Sequence, residues 1–268
     1  MPKLKAVLDI LEEIAPSSAA EEWDNSGLQV GHLSQEIEKI FISLDPTLKA
    51  LRKAIKRNAQ LLLTHHPLIF HPISSLNWGL YPGNIICESL KNGIAIVAAH
   101  TNLDLVGGGI SDSLADLLSI QDVEVLEKRS ILGIDNAGLG RIGDLPDPVR
   151  LSKMIKRIKA ILGADRIRVV GRKNRIIRRV AVVGGAGGGM VSLASKKGAD
   201  LLISGDIRHH EALEARISGL ALIDAGHFHT EKTALAVFAE RLKDALIKQD
   251  LDLIVEIYDD EKGPMRYE

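Results

Sequence analysis

Two adjacent histidines, His65 and His66, follow the apolar run Leu61-Leu62-Leu63 and precede Pro67. A carboxylate, Asp104, ends the segment His100-Thr101-Asn102-Leu103-Asp104. Further on, His227 and Glu231 follow a third apolar run at i, i+4 spacing, which stacks them on one face if a helix begins there. Imidazole and carboxylate donors together suit Zn, Fe, Mn or Co. Cys87 is the only cysteine, so a thiolate-rich structural zinc site is excluded. Five donors that include two carboxylates exceed what one tetrahedral ion needs. They predict two divalent metal ions per chain that share a bridging carboxylate. Such a pair lowers the pKa of bound water and clamps a phosphate or carbonyl oxygen.

Other polar residues lie near these donors in sequence. His100 reads either as a proton-moving base beside the metals or as a strand-end histidine facing solvent. His209 and His210 follow Gly205-Asp206; they either orient substrate and carry protons, His210 foremost, or sit exposed on a helix. Asp24 and Asn25 precede Gly27, where such residues usually shape a turn; support of the metal pocket is the functional alternative, and Asn102 is assigned with them. The run Gly184–Gly189 follows a strand and precedes a helix, yet fits neither a dinucleotide fingerprint nor a P-loop. It predicts a close backbone approach, with Gly187 among the groups that face substrate.

The elements that must position these residues follow from periodicity. Apolar residues at Leu4, Val7, Leu8, Leu11 and Ile14 predict a helix ending before Pro16. A polar segment, residues 17–31, follows. Strands are predicted at residues 40–44, 61–64 and 94–98, and helices at 47–58, 84–92 and 110–118. This alternation is the pattern of βαβ units around a parallel sheet. Aromatics are 3% of the 268 residues against 46% apolar, so Ile, Leu, Val and Ala build the core, as parallel strands require.

The second half repeats the first. At an offset of 140, residues 37–64 lie on residues 177–204, with strand, turn, helix and strand in the same places. Further on, residues 92–100 resemble residues 218–227 if one extra residue is allowed, and with that shift His100-x3-Asp104 falls on His227-x3-Glu231. Duplication predicts an α/β fold of two similar, interlinked units, residues 1–126 and 127–268, with the donors at strand carboxyl ends around a shared metal cleft. The C-terminal segment is expected to pack back on the first unit.

Between the repeats, a long amphipathic helix is predicted over residues 149–162. From Arg150 to Arg179 there are twelve Lys or Arg and one acid, Asp165. That stretch is either a solvated face or a basic rim for anions or nucleic acid. The formal net charge of −1 makes the whole chain no magnet for nucleic acid. No apolar run reaches the roughly 18 residues of a membrane helix, and residues 1–14 lack a secretory signal's apolar core. A cytoplasmic location and no membrane partner are expected.

Five segments carry a family resemblance: "WDNSGLQVG" (Trp23–Gly31), "HHP" (His65–Pro67), "AHTNLD" (Ala99–Asp104), "SGDIRHHEA" (Ser204–Ala212) and "GHFHTE" (Gly226–Glu231). Together and in order, they resemble the motif set of the NIF-three-like family, whose members are also called GTP cyclohydrolase I type 2 homologues. The chain looks like the short form without an inserted middle domain. The resemblance implies a homohexameric ring, a trimer of dimers. It also implies metal ligation by His65, His66, Asp104, His227 and Glu231, with Glu231 bridging. The expected activity is a metal-dependent hydrolase acting on a nucleotide or related small anionic molecule, GTP cyclohydrolase-like or phosphoesterase-like. The alternative is a metal-binding, storage or nucleic-acid-associated ring without turnover.

Overall fold

The computed structural model describes residues 1–265. In chain order its helices are α1 (Leu4–Ile14), α2 (Leu48–Lys56), α3 (Gly83–Lys91), α4 (Thr101–Leu105), α5 (Ile110–Leu117), α6 (Leu151–Leu162), α7 (Val191–Lys196), α8 (His209–Ser218) and α9 (His227–Lys248). The strands are β1 (Gly27–Val30), β2 (Lys39–Ser43), β3 (Leu61–Thr64), β4 (Ala95–Ala98), β5 (Gln121–Lys128), β6 (Gly138–Arg150), β7 (Arg168–Val170), β8 (Ile176–Ala186), β9 (Leu201–Gly205), β10 (Ala221–Asp224) and β11 (Ile254–Ile257). The predicted elements recur within two residues at each end. Local chemistry sets several of the true ends: Thr47 caps α2 with its side chain on the Ala50 N–H, and left-handed Gly163 closes α6.

Two compact units emerge. The first is Met1–Leu103 with Ala236–Lys262; the second is Asp104–Leu235 with residues 263–265. The division expected after residue 126 falls inside β5, which pairs antiparallel with β6. A boundary there would cut a hydrogen-bonded ladder, so the chain divides earlier, within α4. The return of the C-terminal segment is carried by α9, whose residues from Ala236 count with the first unit. There β11 extends the sheet, parallel to β2.

Strand order in the first unit is β1-β4-β3-β2-β11, and in the second β5-β6-β8-β9-β10-β7. In each, three consecutive strands lie parallel: β2, β3 and β4, then β8, β9 and β10. In each, an antiparallel strand that precedes the three in sequence lies beside the last of them, β1 on β4 and β7 on β10. The offset of 140 therefore holds from β2 through β3 onto β8 and β9, and a shorter offset of 126 carries β4 onto β10, so the two sheets share this part of their topology.

The cores follow from register. Phe41, Leu62 and Ile96 align across β2, β3 and β4 and pack with Leu51 of α2, Ile85 of α3 and Tyr258. In the second unit Ala181, Leu202 and Leu222 align and pack with Val191 and Ala194 of α7 and Ala215 of α8. Every residue of β3, β4, β9 and β10 is buried, so these strands are covered on both faces. Among the described residues no helix is long and apolar enough to cross a membrane.

Candidate metal centre

In the first unit, the parallel strands deliver polar residues just beyond their carboxyl ends: Asp45 after β2, His65 and His66 after β3, and His100 after β4. The ladder continues past the strands, because His65 N and His66 N donate to Ser43 O and Leu44 O, and Ala99 N to Thr64 O. Neighbouring side chains would point apart in a flat strand. Here the two rings lean on opposite neighbours. His65 Nδ1 lies 2.7 Å from Ala99 O, and His66 Nδ1 lies 2.7 Å from Asp45 Oδ1. Even so, the ring centroids are 5.1 Å apart, and His100 stands edge-on to both at 5.3 and 5.5 Å. One ring nitrogen from each of His65, His66 and His100 falls within 4.8 Å of the other two. Geometry thus brings the His100 ring to the side of the other two.

Asp24 holds His100. Its carboxylate accepts from His100 Nδ1 at 2.7 Å, from Thr101 N and Oγ1 at 3.1 and 2.5 Å, and from Ser26 Oγ at 2.7 Å. Burial by itself would raise this carboxyl's pKa. The hydrogen bonds from His100, Thr101 and Ser26, with the attraction of His100, outweigh burial and hold it well below the usual carboxylate range. A carboxyl depressed on folding stabilises fully above its unfolded value and loses that contribution as pH falls through its folded value. Asp24→Asn should therefore cost about 1–3 kcal/mol at pH 7. Its deficit against the parent should shrink as the pH drops below about 4, in urea unfolding across pH. A deficit constant with pH would assign the loss to packing. Asn102 supports the same turn, accepting from His100 N and Ser26 Oγ and donating to Ala15 O.

In the second unit, β9 ends at Gly205, followed by Asp206, and His227 opens α9 after β10. His227 Nδ1 lies 2.7 Å from Asp206 Oδ2, and its Nε2 lies 2.9 Å from Oε2 of the buried Glu231 one turn on. If Nδ1 donates to Asp206, the facing Nε2 and Oε2 are both acceptors. They tolerate that approach only with a cation between them, a proton or a metal ion. Glycines make room for this corner. A Cβ on Gly185 would overlap Glu231 Oε1, and one on Gly205 would overlap the backbone N of His227. Gly185 also has φ +62°, which favours glycine, and its N–H donates to Thr230 Oγ1. The glycine run is thus a close approach of β8 to α9. Gly187 itself lies against Ser204 and Val183. Asp104 is half-buried in α4 and belongs to this unit by its contacts.

His209 and His210 occupy the exposed first turn of α8, edge-to-face with each other. The exposed Asn25 spends its side chain on Ile69 O at 2.6 Å. Part of the basic stretch is committed internally: Arg168 pairs with Asp224, Arg175 with Asp200, and Arg179 with Glu124 and Asp144. These pairs blunt the basic rim. Sequence reasoning gave no role to Asp45 or Asp206, the carboxylates that orient His66 and His227. The repeat held a signal for one of them, because the offset of 140 carries His66 onto Asp206.

The donor chemistry fits a metal. A ligating histidine usually gives its second ring nitrogen to a carboxylate or backbone carbonyl, which fixes tautomer and direction. His65, His66 and His227 each do so through Nδ1, which would leave Nε2 as the atom to face an ion.

Fold and site together define a two-unit α/β protein with histidine–carboxylate clusters at the carboxyl ends of its parallel strands. The chain belongs to the Duf34/NIF3 (NGG1p interacting factor 3) family, whose model it matches over residues 2–264. It is 36% identical over 253 residues to the GTP cyclohydrolase 1 type 2 homolog of Clostridium perfringens, covering 94% of this chain and 95% of that one. The GTP cyclohydrolase 1 type 2 of Helicobacter pylori strain 26695 is 35% identical over 242 residues, covering 90% and 92%. Among solved structures, a Bacillus cereus protein related to NIF3 superposes with a TM-score of 0.92 at 25% identity, over 99% of each chain. Reduced HcgD from Methanocaldococcus jannaschii superposes with a TM-score of 0.78 at 32% identity, over 96% of this chain and 98% of that one.

Proposed function

We propose that this chain binds two divalent ions, Zn, Fe or Mn, through His65, His66, Asp104, His227 and Glu231, and hydrolyses a nucleotide-like small molecule. The observation that carries the reading is the engagement of Nδ1 by a carbonyl or carboxylate in each of the three histidines. When bound, such ions activate water and stabilise charge that develops on a phosphoryl or carbonyl oxygen. The protein's part is orientation. Ala99 O, Asp45 and Asp206 fix the three ligand rings, and Asp24 fixes His100 so that its Nε2 can take or return a proton. Opening the purine ring of GTP is the reaction suggested by the Helicobacter relative's name. Phosphoester hydrolysis asks the same of these residues. Self-association as a homohexamer belongs to this reading.

The test is elemental analysis of untagged protein beside His65→Ala and Glu231→Ala, with mass by light scattering on the same samples. Near two transition-metal ions per chain, lost in both variants while folding persists, is the expected result. The expected mass is about six times the 29.1 kDa chain. Less than one ion, unchanged by either substitution and not restored by added Zn, Mn or Fe, would sink the metal reading. A monomer mass would sink the ring.

A further inference from the structure

The chain has only four Phe, three Tyr and two Trp. Phe41, Phe238 and Tyr258 are spent on cores, yet Trp23 is 59% exposed and Phe70 is 43% exposed. These two rings lie 5.8 Å apart, tilted at 48°. Both border His100, with centroids 6.0 Å and 6.4 Å from its ring. All three belong to the first unit.

Exposed rings on a free loop would signify little, but these are clamped. Asp24, next to Trp23, is bonded to His100 and Thr101. Ile69, next to Phe70, has both backbone groups tied. Its N–H donates to Gln29 Oε1 at 3.1 Å, and its carbonyl accepts from Asn25 Nδ2 at 2.6 Å. Gln29 Nε2 in turn donates to Asn25 O at 2.7 Å. The side chains of Asp24, Asn25 and Gln29 thus hold two solvent-facing aromatics in place against His100. Holding apolar rings rigidly in water gains nothing for folding. It does prepare a surface for a flat π-system, because the ordering cost is met before the ligand arrives.

We propose that Trp23 and Phe70 form a stacking platform for a planar heteroaromatic ring, a nucleobase or its equivalent, beside the imidazoles of His65, His66 and His100. A base seated there lies over an indole and next to the imidazole cluster. The inference deepens the proposed function by naming the substrate's aromatic class. It rests on that reading only for the ions.

Trp23 reports on itself once Trp78, the other tryptophan, is replaced by Phe. The Trp78→Phe protein should show saturable fluorescence quenching by GMP and AMP, but not by ribose 5-phosphate. The titration is run in EDTA and again with added Zn. Phe70→Ala, and Phe70→Leu, which keeps apolar bulk without the ring, should each weaken binding about 5- to 100-fold, as loss of one stacking partner does. Metal content should not change in either. Quenching that is linear in both conditions, or indifferent to both Phe70 variants, would overturn the platform and leave the metal reading standing. Saturable quenching in a protein that holds no ions would do the reverse. Emission that shifts red on dilution together with a fall in mass would show a second copy covering Trp23, and would also overturn it.

Discussion

Asp206→Gly should fold like the parent and yet bind divalent metal about 10- to 100-fold more weakly. The replacement is glycine because Asp206 has φ +53°, where an alanine would add backbone strain. Its side chain is about half exposed, so the fold loses little. What is lost is the acceptor 2.7 Å from His227 Nδ1. Without it the imidazole is free to put its proton on Nε2 and turn that edge toward Glu231 as a donor, which competes with a metal for the same corner. Asp206→Asn keeps an acceptor of the same reach without the charge, and should fall between parent and Gly. Competition against a chromogenic chelator measures all three. Affinities within twofold of one another would mean that Asp206 does not set the ring for coordination. Asp45→Ala is the matching change at His66.

The legible parts of the molecule were those written in short-range patterns. Leucine and isoleucine runs marked β2, β3 and β4, and the i, i+4 pair His227 and Glu231 marked the start of α9. The offset of 140 gave the shared strand–helix–strand unit, β2 to β3 and β8 to β9, at the centre of the two sheets. Some strands were hidden, at an edge and in the interior alike. β1 reads as polar because only Val30 of its four residues is buried, and the long β6 carries Pro146 and Pro148. β11 finds its place only by pairing with β2, more than 200 residues earlier in the chain. The orienting carboxylates were hidden for a different reason. Asp45 follows a strand as any turn aspartate does, and nothing in "SLDP" says that its oxygen will meet His66 across a parallel ladder. Ligand types show in composition and spacing, whereas the groups that aim them depend on which strands become neighbours.

The largest stability effect should come from Arg141, a residue unremarked in the sequence. It is 3% exposed in β6, and its guanidinium is fully engaged. Nε donates to Asp112 Oδ1 at 2.8 Å, Nη1 to Gly138 O and Gly140 O, and Nη2 to Val106 O, each at 2.9 Å. Asp112 also accepts from Gly108 N, so the same network pins the bend that leads from Asp104 into α5. Arg141→Leu leaves a carboxylate and three carbonyls short of donors. Removing one partner of a buried pair costs about 3–5 kcal/mol, roughly a 10 °C fall in melting temperature for a chain of this size. Arg141→Lys keeps the charge but replaces a planar fork with a single point, and should recover less than half. The double variant Arg141→Leu with Asp112→Leu separates the two components of the loss. If the stranded charge dominates, the double variant is more stable than Arg141→Leu alone, because the unpaired carboxylate has gone. If it is equally unstable, the carbonyls of Val106, Gly138 and Gly140 carry the cost. Arg141 then acts chiefly as a staple on backbone, holding the approach to Asp104 in place.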